Sequence, residues 1–501
     1  MKISMRAMAV AIAGLLWCNS ANAQQLGSYG GSPYGESPLR KVSRTNRELT
    51  NKYESYYADQ EAPAAEEPSS PSDAAPYEGA VVPSAVSENY GACCKVNGRH
   101  GRQRRQFGSR LDGIQCRTDK IELGEPFALA DHTCFLKRHK VKVAGWLAQS
   151  YTWNPYNPSD NFNGPVTWTD RANQYQLNEL YLYAMKETDT EGSGWDLGGR
   201  VDALYGTSYR WDTEGGLETN INSGQFYGLA LPQFYGEVAY NDLKVKIGHF
   251  ISPVGYYTVG TYNNFFNTLP YTYQYGEPFT HTGVWATYQA TEKVNIGAGI
   301  IHGWDAFDNT ANPHAGYLGT MTINGNNNDS LAFVQVYSME PNQSGGFSPR
   351  YFQTLVYSRP LNEKWTYIAQ SDFGVQSNAL TNGGAAFWYG YNNYLYWKKN
   401  DVWSWGVSGE WFRDQQGFRV GQVVPSLGSP NARGYALSGF GGNWYDIVFG
   451  PRWTPLPNLV IRPNFRADFY QGHRNAGGLK PFDGGKKNFQ QILGTDVIVT
   501  F

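Results

Sequence analysis

The sequence predicts an all-β chain: a single transmembrane, antiparallel, up-and-down β-barrel of about sixteen strands, preceded by a disordered linker and a small Cys-containing segment. Segments from Lys140 onward alternate apolar and polar residues with period two, the spacing of a strand with one oily and one wet face. Several run past the roughly 5 to 6 residues of an ordinary strand and reach the roughly 9 to 11 that cross a bilayer at a tilt. Beyond Ala23 no stretch of 18 or more apolar residues occurs. If the mature chain spans a membrane, only a closed barrel can satisfy its backbone.

Residues 1–23 read as a secretory signal peptide. Lys2 and Arg6 precede the apolar run Ala7 to Trp17, and Ala21-Asn22-Ala23 forms a small-x-small cleavage site. Trp17 ahead of Cys18 is too bulky for lipoprotein-type cleavage. Residues 24–90 are rich in Pro, Ala, Ser and Glu and lack the apolar content to fold, so they read as a flexible periplasmic linker. Residues 91–139 form a small basic periplasmic segment with all four mature cysteines, Cys93, Cys94, Cys116 and Cys134. In an oxidising periplasm these are disulfide candidates. Adjacent Cys93 and Cys94 seldom bond to each other, which leaves Cys116 and Cys134 as their partners; intermolecular crosslinking is the competing reading. A zinc site with His100 or His132 would lack CxxC spacing. Arg99, Arg102, Arg104, Arg105 and Arg110 suit anionic envelope polymers, or are a solvated positive loop.

From Lys140 sixteen candidate strands follow, at 140–151, 174–185, 195–206, 231–240, 243–250, 281–290, 293–304, 315–323, 329–339, 350–359, 364–376, 387–398, 401–413, 442–453, 457–470 and 488–501. Short connections such as Asn241-Asp242, Thr291-Glu292 and Lys399-Asn400 alternate with long ones, as in bacterial outer-membrane barrels. The span 315–323 has the weakest pattern. Trp195, Tyr240, Trp365, Trp397, Trp403 and Trp453 all flank short turns, where an aromatic girdle would meet one headgroup layer. Glu179 breaks the alternation by sharing a face with Leu177, Tyr181 and Tyr183, which a bulge or a rim position would accommodate. The last segment places Leu493, Thr495, Val497, Val499 and Phe501 on one face, an ending that resembles the signal for outer-membrane insertion.

The stretch NLVIRPNFRADFY, Asn458 to Tyr470, sets Leu459, Ile461, Phe465, Ala467 and Phe469 against Arg462, Asn464, Arg466 and Asp468. A slip of one residue would aim the charges at lipid, at about 2 to 4 kcal/mol for each arginine near the midplane. Roughly 16 strands leave an aqueous channel where eight do not. The expected pore-lining charges are Asp196, Arg200, Asp202, Glu237, Lys244, Lys246, Asp372, Glu410, Asp446, Arg452, Arg462, Arg466, Asp468 and Asp496, with Lys142 beside them. Their signs mix, so no ring of one charge is predicted; Arg452, Arg462 and Arg466 form a basic wall or pair with their neighbours. Residues 251–280, ISPVGYYTVGTYNNFFNTLPYTYQYGEPFT, are too apolar for a loop that waves in water. They are expected to fold inward as a constriction built on Tyr262, Phe265, Phe266, Tyr271, Tyr273 and Tyr275, or else to cap the outer rim.

Charged residues are 17% of the chain, against about 25% for a soluble enzyme, and aromatic residues are 15%. The net charge of −2 argues for no ionic partner of the whole chain and no nucleic acid. His249, His281, His302, His314 and His473 are scattered, and no Gly-x-Ser-x-Gly elbow, phosphate loop, dinucleotide fingerprint or barrel metal spacing is present. No enzyme activity, cofactor or metal is expected.

KIGHFISPVGYYTV (Lys246 to Val259), NNFFNTLPYTYQYGEPFTHTGVWATY (Asn263 to Tyr288) and RPNFRADF (Arg462 to Phe469) resemble the OmpL-like β-barrel porin-2 family over residues 140–501, with PFTHTG, Pro278 to Gly283, the most specific element. The resemblance implies a pore-forming outer-membrane protein. The expected function is passive diffusion of small hydrophilic solutes through a porin, with outer-membrane lipid around it and a homotrimer as one assembly. A structural barrel anchored to the envelope through the Cys-rich segment is the alternative.

Overall fold

A computed structural model describes residues 133–501, except 223, 224, 309, 310, 422–435 and 437, together with Leu123 and Pro126. The expected signal peptide and linker, and Cys93, Cys94 and Cys116, lie outside these residues, and with them the disulfide expectation. Cys134 opens a short helix, Cys134–Arg138, that leads into the first strand.

The strands are β1 (Lys142–Trp153), β2 (Gln174–Lys186), β3 (Trp195–Gly206), β4 (Gly228–Ala230), β5 (Phe234–Tyr240), β6 (Leu243–Ile251), β7 (Thr280–Thr291), β8 (Val294–Ile301), β9 (Gly316–Asn324), β10 (Ser330–Pro341), β11 (Phe347–Pro360), β12 (Trp365–Gln376), β13 (Ala386–Lys398), β14 (Trp403–Asp414), β15 (Gly442–Leu456), β16 (Leu459–Gly472) and β17 (Phe489–Thr500). Three-residue β4 pairs only with the end of β3, beyond the stretch that β5 occupies. The other strands form a closed antiparallel ring of sixteen, sealed by β17 on β1. At the seam Gly145 and Phe501 exchange backbone hydrogen bonds of 2.9 and 3.0 Å. The weakly patterned span 315–323 is β9, paired on both sides. The strand expected at 293–304 stops at Ile301, because Gly303 (φ 89°) and Asp305 (φ 51°) take left-handed conformations that end an extended run.

Glu179 is explained by a bulge. Ala148 pairs with Glu179 but Gln149 pairs with Leu177, so Asn178 is an extra residue that reverses the facing of the strand. Glu179, Tyr181 and Tyr183 point inward and are buried, whereas Leu180 and Leu182 are exposed outside.

The outer face carries the oil. Leu197, Val201, Ile247, Ile300, Ile447 and Phe449 are 45 to 67% exposed there. Beside the short turns, Trp195 meets Tyr240 at 4.5 Å, Trp365 meets Trp397 at 6.1 Å, and Trp403 stacks on Trp453 at 5.4 Å. Outward amides borrow tyrosine hydroxyls: Tyr175 donates to Gln149 (2.8 Å), Tyr351 to Gln353 (2.9 Å) and Tyr367 to Asn393 (2.6 Å). In an apolar surround an unmet amide is costly. Tyr367→Phe is therefore expected to destabilise the barrel by about 1 to 3 kcal/mol, read as a lower urea midpoint in detergent; an unchanged midpoint would reject the apolar surround at that depth.

The largest buried apolar cluster lies on the inside. It joins Trp388, Tyr394, Phe412 and Trp444 from the inner faces of β13, β14 and β15 to Phe265, Tyr271 and Tyr275 of the β6–β7 connection. No helix among the described residues is long and apolar enough to cross a membrane.

Candidate functional site

The β6–β7 connection, residues 252–279, is here called L3. Its entry needs glycine: Gly255 has φ 81°, and a Cβ there would meet the Glu277 carboxylate at 2.0 Å, while Gly260 has φ 96° against Trp146. The chain then makes two short helical turns, Thr261–Asn263 and Thr272–Gly276. Nearly every L3 residue is buried, including Tyr262, Phe265, Phe266, Tyr271, Tyr273 and Tyr275.

L3 docks on a rail that strand register assembles. Gln370, Asn392, Glu410, Asp446, Asp468 and Gln490 are successive cross-strand neighbours on the inner faces of β12 to β17. Gln370 accepts the Tyr256 N–H at 2.9 Å. Glu410 accepts the N–H groups of Tyr271 and Thr272 and the Thr272 hydroxyl. Asp468 accepts the Tyr271 hydroxyl at 2.9 Å. L3 carbonyls take up arginines: Arg462 donates to Thr261 O (2.9 Å) and Asn264 O, Arg452 to Asn264 O (3.2 Å), and Arg466 to Leu269 O (2.6 Å) and the Thr268 hydroxyl (3.1 Å). Apart from the half-buried Tyr256, both partners of these bonds are buried, where an unmade bond would cost most.

Across the seam, Glu179 accepts the Trp146 indole N–H (2.7 Å) and the Thr261 N–H (3.0 Å), and Trp146 packs 5.7 Å from Tyr262. Inward glycines make room for this packing. A Cβ on Gly406 would meet the Phe265 ring at 2.5 Å, and one on Gly390 the Thr272 hydroxyl at 2.7 Å. Other connections close over L3: Tyr275 donates to Pro165 O (2.8 Å), Gln274 accepts the Thr167 N–H (2.6 Å), and Arg419 donates to Tyr275 O (2.6 Å).

The expected wall charges fall into two groups. One lies under L3. Asp372, Glu410, Asp446, Arg452, Arg462, Arg466, Asp468 and Asp496 are each 6% exposed or less. Arg462 pairs with Asp496, its cross-strand neighbour, at 3.0 Å, and Arg466 bridges Asp446 (2.9 Å) and Asp468 (2.8 Å). The other group lies on β1, β3, β5 and β6. There Lys142 and Lys244 are partly exposed, Arg200 and Lys246 are 12% and 16% exposed, and Asp196 is 27% exposed and bonded to Lys186 at 2.8 Å. Asp202 and Glu237 are buried beside Arg200 and Lys246.

Sequence reasoning missed the L3 carboxylate Glu277 and the wall residue Gln370, which donates to it at 2.6 Å. Burial, with Asp372 beside it, pushes the Glu277 carboxyl well above the usual range and favours the protonated form, which can donate to Asp372. Only the docked loop brings the two together. Ser252 and His281 also meet, at 3.0 Å, with the other ring nitrogen of His281 on Gly303 O at 2.8 Å. Both are buried, and a carbonyl stands where a Ser-His catalytic pair has a carboxylate orienter.

Glu218, in the β3–β4 connection, accepts the Glu214 N–H at 2.7 Å and that of Leu231. Burial pushes its carboxyl up to about 7. With a folded value above the about 4.3 of an unfolded glutamate, its stabilising contribution is complete below that lower value and lost as pH rises through about 7. Amide protection over residues 214–222 and 225–231, corrected for intrinsic exchange, should therefore fall between about pH 4 and about pH 7. Glu218→Gln should flatten the profile; an equally steep profile in that variant would reject the assignment.

The model of the family described as "Putative beta-barrel porin-2, OmpL-like" matches residues 140–501. No curated protein sequence matches the chain. Among solved structures, the chain is similar to the outer membrane channel DcaP of Acinetobacter baumannii, at 8% identity and TM-score 0.48, over 72% of this chain and 97% of that one. It is also similar to Pseudomonas putida OprB at high pH, at 12% identity and TM-score 0.47, over 74% and 96% of the two chains. The trimer form of Vibrio cholerae OmpT is similar at 10% identity and TM-score 0.46, over 72% and 99%.

Proposed function

The chain belongs to the putative beta-barrel porin-2, OmpL-like family, and from that premise we propose that it is an outer-membrane porin. It forms a water-filled channel for passive diffusion of small hydrophilic solutes, narrowed by L3. The observation that carries this reading is the anchoring of L3 to one side of the ring, on β1, β2 and β12 to β16, while inner side chains of β1, β3 and β6 keep partial exposure. A loop held to one wall narrows a sixteen-strand bore without sealing it. Outside, the exposed aliphatic band meets acyl chains, and the tryptophan pairs beside the short turns meet headgroups. The signal peptide exports the chain, residues 24–139 stand in the periplasm, and Cys93, Cys94, Cys116 and Cys134 bridge there. The assembly is a homotrimer, for which a monomeric mass in detergent would be the contrary finding.

Purified full-length protein in a planar bilayer is expected to give discrete conductance steps, and a correctly folded preparation that gives none would reject the porin. The second reading, a structural barrel anchored to the envelope through its N-terminal segment, is favoured by the rings of Trp388, Phe412 and Trp444 packed against L3 inside the wall. It predicts that stepless outcome.

A further inference from the structure

The amino-acid tally of the lumen mixes both signs, but L3 sorts them by access. We infer that the open part of the conduit is basic and that the channel prefers small anions: chloride, inorganic phosphate and short carboxylates. This rests on the porin reading.

L3 and the wall behind it bury most of the carboxyl groups. Glu179, Glu277, Asp372, Glu410, Asp446 and Asp468 are each 6% exposed or less and bonded within the docked network. A passing ion meets the inner faces of β1, β3 and β6 instead. There, among the described inward-facing residues of these strands, the partly exposed charges are Lys142, Arg200, Lys244 and Lys246, against Asp196. Asp196 is already held by Lys186 at 2.8 Å. In two ion pairs here the acid is the less exposed member: Asp202 is fully buried beside Arg200, and Glu237 is 8% exposed beside Lys246. The pairs therefore turn their positive ends to the water.

Register concentrates these cations. Lys142, Met185, Arg200 and Tyr235 are successive neighbours across β1, β2, β3 and β5, and Glu237, Lys246 and Trp285 continue the next row across β5, β6 and β7. Aromatic faces fix the charged groups on the wall: Arg200 lies 4.7 Å from the Tyr183 ring, and Lys246 lies 5.0 Å from Tyr235 and 5.4 Å from Trp285. In a narrow bore with low-dielectric walls such a group focuses its potential on the ion path. The effect reaches about 10 Å at 0.1 M salt and about 3 Å at 1 M, so preference should be strongest in dilute salt.

The test measures reversal potential across a planar bilayer holding the full chain under a KCl gradient, repeated with potassium phosphate. The expected result is an anion-to-potassium permeability ratio above one that falls as mean salt rises. The fourfold variant Lys142→Gln, Arg200→Gln, Lys244→Gln, Lys246→Gln should lower that ratio toward one; Lys244→Gln and Lys246→Gln, read singly, cover the case in which the fourfold protein does not insert. Steps with a ratio at or below one in the unaltered protein, or a ratio that the variants leave unmoved, overturn the anion preference and keep the channel. Absence of steps overturns the channel reading itself and this inference with it.

Discussion

Deletion of Thr261–Tyr273 is expected to raise single-channel conductance while the barrel still folds. The segment contains the L3 groups that Glu179, Glu410, Arg452, Arg462 and Arg466 hold, so its removal takes away the rings and backbone that fill this half of the bore. The wall groups left behind are not stranded. Water enters with the loop gone, and a hydrated carboxylate or guanidinium has no desolvation to recover. Arg462 keeps Asp496, and Arg466 keeps Asp446 and Asp468. Larger steps from a protein that retains its heat-modifiable mobility would support the constriction. Steps of unchanged size from a correctly folded deletion would reject it.

Arg466→Ala in the intact chain is expected to be the most damaging single substitution in the lumen. Arg466 is buried and joins four groups: the Asp446 and Asp468 carboxylates on the wall, and Leu269 O and the Thr268 hydroxyl on L3. Its loss leaves two adjacent carboxylates with no cation between them under a dry lid, a change worth about 3 to 5 kcal/mol for a broken buried pair. In the Thr261–Tyr273 deletion the same substitution should cost only about 0 to 1 kcal/mol, as at a hydrated surface. The non-additivity, on the order of 3 kcal/mol, is read from urea unfolding midpoints of the four proteins in one detergent. Additive effects would show that L3 does not desolvate this pair.

The alternation of Asn458 to Tyr470 already states which residues of β16 share a face, because strand period is a property of neighbours in the chain. Strand positions, the even number in the ring and the short turns were legible for the same reason. The inversion at Glu179 was visible as an anomaly, but its cause, the extra residue Asn178, needed the partner strand β1. The interior was much less legible. Glu410, Asp446 and Asp468 are scattered in sequence, and only pairing register aligns them as a rail.

By itself, then, the sequence determined the ring: strand period, facing, turn lengths and the oily exterior all follow from residues close along the chain. Tertiary structure alone decided where L3 seats and which charges stay in reach of water. Those outcomes depend on bonds between residues 82 to 201 positions apart, such as Thr261 to Glu179 and Arg462 to Thr261. A local pattern contains no information about which distant backbone group will desolvate a given charge. Access to water, more than the number of acids and bases, sets the field along the conduit.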